Sequence, residues 1–164
     1  MIVVSDTTPI ISLIKINRLD ILKRMFGEVH IPEAVFGELT SNVLFKEEAQ
    51  TVVECEYIKK MSVDNAKSVD LLRRSTNLDA GESEAIVLAD SLENSILLID
   101  EAKGRKIAKT MGLNIMGTIG ILLVAYEDGL LDKESIEECI EVIRTSKLRI
   151  SESLLDLLYD KIKG

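Results

Sequence analysis

The chain has 164 residues, 46% of them apolar, enough to bury the core of one domain and too many for a disordered segment. Twenty basic against 28 acidic residues leave a formal charge of −8, which is not the broad basic footprint of a nucleic-acid binder. Any polyanionic partner must therefore meet local basic residues or bound cations.

In chain order, the β-branched run Ile2–Ser5 reads as a central parallel strand. Thr7 or Thr8 is placed to cap the helix that follows, with Pro9 in its first turn. That helix carries IISLIKI, breaks at Asn17 and resumes as LDILKRMF, which Gly27 ends. EVHI is a short strand, and Pro32 opens a helix over PEAVFGELT. Residues 41–52 read as helix or loop, ECEYIKKMSV as a strand, and Asn65–Arg74 as a helix. Asp79, followed three residues later by Glu82, has capping-box spacing at the start of the next helix. SILLID is a second continuously apolar strand that ends on acid. A helix over AKGRKIAKTMG, a strand LNIM and an apolar helix GTIGILLVAYEDG follow. Two amphipathic helices near Lys133–Thr145 and Ser151–Ile162 form the tail.

Apolar strands alternating with helices through about residue 130 imply a three-layer α/β/α domain with a central parallel, Rossmann-like sheet. Right-handed crossovers put all strand C-termini on one edge, where ligands bind in such folds. The free thiols Cys55 and Cys139 point to a reducing compartment. No apolar stretch approaches the ~20 residues of a membrane span. The N-terminus also lacks a signal-peptide pattern, so a cytoplasmic protein with no membrane contact is expected. His30, the single histidine, excludes mechanisms that need two and reads as a surface or strand-edge residue.

Acids collect on that expected edge. Asp6 ends the first strand and Asp100 ends SILLI, with Glu101 adjacent; Glu38 and Glu82 sit early in their helices. Each has a plainer reading: Glu82 closes a capping box, Glu84 and Glu38 are solvated, Asp100 and Glu101 begin a helix. Asp6 resists this, because a buried strand rarely ends on acid without a partner. A carboxylate cluster without histidine or thiolate selects hard ions, Mg2+ or Mn2+, and such clusters serve phosphoryl transfer. The hydroxyls of Ser5, Thr7 and Thr8 beside free N–H groups suit a phosphate oxygen.

The pattern resembles a PIN domain, a metal-dependent nuclease fold. VVSDTTPIISLI matches the family's opening strand, acid and helix, and implies Asp6 as a ligand. IPEAVFGEL matches its second acid and implies Glu38; Leu78 through Glu82, continuing AIVLA, matches its third, with Glu in place of the commoner Asp and Glu84 as a competing register. The acid after the next strand implies Asp100, with Glu101 adjacent. GESEAIVLA, LLIDEAKGRKIA and GTIGILLVAYEDGLL are further similar to a prokaryotic branch of PIN-like proteins described mainly as nucleic-acid binding. These motifs cover residues 1–131, a PIN-like domain; 132–164 would be a helical extension packed on it. The resemblance implies cleavage of RNA, or less often single-stranded DNA, by metal-activated water. It also implies kinship with toxin nucleases that form homodimers and are held by a small antitoxin.

Thr118 should lie on the same edge, as a phosphate contact or a helix cap. Lys103 and Arg105, with Lys106 and Lys109, put a basic surface beside Asp100, where a nucleic-acid backbone or simply solvent would lie. Aromatic residues are few, so no base-stacking platform is evident. Two readings compete: a PIN-like endoribonuclease, and a non-catalytic nucleic-acid-binding or regulatory module on the same fold. A phosphatase with Asp6 as nucleophile is disfavoured, since Thr8 stands where a second Asp would serve as acid and base.

Overall fold

In the computed structural model, which describes residues 1–163, the chain folds around five parallel strands. These are β1 (Ile2–Ser5), β2 (Val29–Pro32), β3 (Ile58–Met61), β4 (Ser95–Leu98) and β5 (Ile115–Met116), in the order β3-β2-β1-β4-β5. The chain builds outward from β1 through β2 to β3, then returns to add β4 and β5 on the other side. The order therefore reverses between β1 and β4, which pair with Ser5 opposite Leu98. A crevice opens at the C-terminal ends of two strands whose following connections diverge in this way.

Ten α-helices cover the sheet among the described residues: α1 (Thr7–Lys15), α2 (Asp20–Phe26), α3 (Glu33–Ser41), α4 (Lys46–Glu54), α5 (Ala66–Thr76), α6 (Ala80–Ser91), α7 (Ala102–Thr110), α8 (Thr118–Glu127), α9 (Lys133–Thr145) and α10 (Glu152–Lys163). Alternation along the strands divides the core in two. Val3, Ile96 and Leu98 join Val29 and Ile31 under α1–α4 and α8–α10. Val4, Leu97 and Ile99 face α6, with α5 and α7 beside it. Both faces are dry, which is why the strands read as unbroken apolar runs.

Local chemistry sets the boundaries. Asn17 takes a left-handed conformation, φ 59°, and separates α1 from α2; Gly27, φ 80°, ends α2 where a side chain would be strained. The stretch read as helix or loop is a short 3-10 turn, Val43–Phe45, followed by α4. The expected strand over residues 54–63 contracts to Ile58–Met61, because α4 runs to Glu54 and β3 is a sheet edge that pairs only with β2. Neither Thr7 nor Thr8 caps α1: Asp6 holds the N-cap position, so Thr7 is the first helical residue. His30 is likewise not on an edge strand; it is half-buried on β2, between β1 and β3, with Nδ1 buried and unpartnered.

The tail helices are built into the larger core. Ile136, Cys139, Ile140 and Ile143 of α9 and Leu155, Leu158 and Ile162 of α10 are buried in the same cluster as α1 and α8. Gly164, the last residue of the expected extension, lies outside the described residues. Shared packing predicts shared unfolding. Leu158→Ala is expected to lower stability by about 2–4 kcal/mol in urea titration, within a single cooperative transition. A separate early transition confined to the tail would contradict a common core.

Candidate metal centre

The crevice at the β1–β4 switch point is lined by carboxylates. Asp6 follows the last residue of β1, and its N–H donates to the Leu98 carbonyl of β4 at 2.9 Å. Asp100 emerges two residues beyond β4, on the neighbouring strand. Glu38 comes from α3 and Glu82 from the first turn of α6, so four elements deliver one acid each. Glu101 stands at the N-cap of α7 without capping it, and its carboxyl lies against that of Glu82. The structure brings the sequence-derived acids to one edge of the sheet, from positions up to 95 residues apart (Asp6 to Glu101).

The partners of each acid differ from those expected. Glu38 Oε2 accepts from the Thr7 hydroxyl at 2.9 Å. Asp100 accepts twice from Thr118, its N–H and its hydroxyl each at 2.7 Å. Thr118 thus neither caps α8, whose N-cap is Gly117, nor faces a phosphate: it is fully buried behind Asp100. Ser5 is also fully buried, its hydroxyl donating to the Asp6 carbonyl, while Thr8 is half-buried. Glu84, read as a solvated residue or competing ligand, instead accepts the Ala34 N–H at 3.1 Å and caps α3 from α6. Arg105 is half-buried and donates to the Ile99 carbonyl at 2.9 Å; Lys103 is exposed.

Glu82 departs most from a capping role. Asp79 supplies its half of the box, accepting the Glu82 N–H at 2.8 Å. The Glu82 carboxyl points elsewhere, and its Oε2 is buried with no hydrogen-bond partner. A buried, unpartnered carboxylate oxygen is costly unless protonated or neutralised. Burial first, then the charges of Asp79, Asp6 and Glu101, push the Glu82 pKa up to about 9. The adjacent Glu101 carboxyl adds to the push toward the protonated form of Glu82. Asp6 is pushed up to about 7, chiefly by burial, with the charges of Asp79, Glu38 and Asp100 adding and a hydrogen bond from the Thr7 backbone opposing. Burial also raises Asp100, against the Thr118 hydrogen bonds and the Arg105 charge.

Asp79 is the acid that sequence reasoning missed. Its charge acts on both Asp6 and Glu82, yet as an N-cap it looked fully explained. Its place directly before the Glu82 turn was the available signal.

Three glycines make room for the acids. A Cβ on Gly81 would come 3.4 Å from Glu38 Oε2 and 3.6 Å from Asp79 Oδ1. One on Gly104 would meet Glu82 Oε2 at 3.4 Å and Ile99 Cδ1 at 2.7 Å; one on Gly117 would meet Asp100 Oδ1 at 2.9 Å. Among the described residues, no group of three or more His, Cys, Asp or Glu side chains is drawn tightly enough together to hold a metal ion as it stands. Thr7 and Thr118 hold Glu38 and Asp100 in hydrogen bonds of their own. An all-oxygen donor set with one orphaned oxygen nevertheless fits a hard divalent cation, which side-chain rotation would bring within reach.

A parallel α/β domain presenting carboxylates at its switch point defines a class of acid-cluster α/β folds. The chain belongs to the PIN-domain family within it: the family model described as PIN domain matches residues 2–163, through the tail helices and beyond the motifs that end at Leu131. PIN domains are a nuclease-type family and generally depend on divalent metal. No match was found among curated proteins or among solved structures. No helix among the described residues is long and apolar enough to cross a membrane.

The raised pKa values set a pH dependence. An acid with a higher pKa folded than unfolded binds the extra proton in the folded state, so stability falls as pH rises through the window between the two. That window runs from 3.8 to about 7 for Asp6 and from 4.5 to about 9 for Glu82. The metal-free protein is expected to lose melting temperature steadily between pH 5 and pH 9. Asp6→Asn, which removes one buried charge, should be the more stable protein at pH 8 by about 1–3 kcal/mol. Urea titrations of both proteins at pH 5 and pH 8 measure this; a wild-type stability that rises over the range would contradict the cluster's electrostatics.

Proposed function

We propose that the chain is a metal-dependent nuclease that hydrolyses phosphodiester bonds, with RNA as its substrate. The observation that carries this reading is Glu82 Oε2, a buried carboxylate oxygen without a partner among the other acids of the crevice. Asp6, Glu38, Glu82 and Asp100, with Glu101 at the rim, would hold one or two Mg2+ or Mn2+ ions. When bound, such an ion supplies Lewis acidity and a water of lowered pKa. The chain's own residues do the rest. Asp6 and Asp100 ride on adjacent strands, so their spacing is fixed by the sheet. Thr118 holds the Asp100 carboxylate in one orientation by two hydrogen bonds, and Thr7 does the same for Glu38. Exposed Lys103 lies on the first turn of α7, next to Glu101, and offers a cation to a substrate phosphate.

A second reading, a PIN-fold module that binds without cleaving, is favoured by the absence of a ready-made group of three ligands among the described residues. Incubation of a mixed single-stranded RNA with the protein and Mn2+ separates the two. Cleavage abolished by EDTA and lowered at least ~100-fold by Asp6→Asn is expected of the nuclease. Cleavage indifferent to both would overturn the metal-nuclease reading, and binding of RNA without any cleavage would favour the module.

A further inference from the structure

Beside the acid crevice runs a groove of about 310 Å3 whose wall includes Asp100 and Arg105. Its other walls come from β5, from the outer face of α8, and from α10 with the connection leading into it. It is chemically unlike the crevice. Met116, Leu123, Leu154 and Leu157 make it largely apolar, and Arg149 adds a second guanidinium. Leu154 and Leu157 are 44% and 48% exposed, so α10 turns apolar side chains toward this groove without covering them. In a chain with a net charge of −8, two arginines on the wall of one groove beside the half-buried Asp100 stand against the overall electrostatics.

Neither guanidinium is used up. Arg105 gives one nitrogen to the Ile99 carbonyl and sets its charge against Asp100; its remaining N–H donors have no other partner among the described residues. Among the described residues Arg149 has no ion-pair partner; the neighbouring Arg144 takes both nearby acids of α10, Glu152 and Asp156. The groove thus offers free phosphate donors, an aliphatic bed and direct continuity with the acids.

We propose that this groove holds an unstacked nucleotide of single-stranded RNA beside Asp100, its base on the Met116–Leu123–Leu157 surface and its flanking phosphates on Arg105 and Arg149. The inference rests on the nuclease reading and extends it to a substrate contact. The groove's volume matches the low end of the ~300–1,000 Å3 of small-ligand sites, which suits one nucleotide rather than a duplex. Single-stranded RNA is commonly held through splayed bases packed on side chains, with the backbone on cations. An aliphatic bed gives area without a stacking ring, so base identity should matter little. The two guanidiniums on one wall give a phosphate backbone the local cations that the rest of this acidic chain does not supply.

Binding to the full chain carrying Asp6→Asn tests this without cleavage, by fluorescence anisotropy of a labelled mixed-sequence RNA of about 12 nucleotides, between about 50 and 200 mM KCl. Arg149→Gln on that background is expected to weaken binding about 3–10-fold and to reduce the magnitude of the log–log salt slope by about 0.7, the loss of one phosphate contact. Leu157→Gln, at a half-exposed position that tolerates a polar side chain, should weaken binding with the slope unchanged. If both variants match the parent in affinity and slope while the wild-type protein still cleaves RNA, the groove assignment is overturned and the nuclease reading stands. If the parent does not bind RNA at all, both fall. If sedimentation velocity shows that Leu157→Gln dissociates a dimer while RNA affinity is unchanged, the groove belongs to a second copy and the proposal is overturned.

Discussion

The structure is organised by one electrostatic constraint: carboxylates forced together at the end of a dry parallel sheet. β1 and β4 are buried on both faces, and their pairing register leaves no freedom over where Asp6 and Asp100 emerge. The sheet is stabilised by apolar burial that has no use for these acids. Their charge is therefore a standing cost: burial raises the pKa values of Asp6 and Glu82 toward their neutral forms, and Asp100 and Glu38 are held by hydrogen bonds from threonines. The fold supplies the stability and the crevice spends part of it, as is usual where function requires strain.

The acids are accommodated by what is missing as much as by what is present. Gly117 lies where a methyl group would crowd the Asp100 carboxylate at 2.9 Å, while at Gly81 and Gly104 it would only touch the neighbouring carboxylates. Gly104 also lets α7 close onto Ile99, so the turn carrying Glu101 and Lys103 sits against the strand end and not above it. Substitution at Gly117 would press first on Asp100, whereas substitution at Gly104 would press first on Ile99 in the core.

Much of this frame was legible in the sequence because its signals are local. An unbroken apolar run over Val3–Val4 or Ile96–Leu98 identifies a strand covered on both faces, and the acid that ends it marks the ligand edge. Asn17, Gly27 and the Asp79 cap act within a few residues of themselves. What escaped notice acts across the chain. The Thr118–Asp100 bonds span 18 residues and the Glu84–Ala34 bond 50, and no periodicity reports them. Thr118 and Glu84 were each read against their own helix, where capping and solvation are the ordinary outcomes. Their partners lie on other elements. The same applies to Asp79, whose local role concealed the reach of its charge.

The Glu84 contact has a mechanical consequence. By seizing the opening amide of α3 from the flank of α6, it fastens together the two helices that bear Glu38 and Glu82. Asp6 and Asp100 ride on the sheet instead. Glu38 and Glu82 are thereby set at one spacing beside the sheet edge where Asp6 and Asp100 emerge, and the Thr7–Glu38 bond ties the helix pair to the first turn of α1. Closure around a cation would then fall to rotation of the side chains, because the helices that carry Glu38 and Glu82 are tied to each other and packed on the sheet.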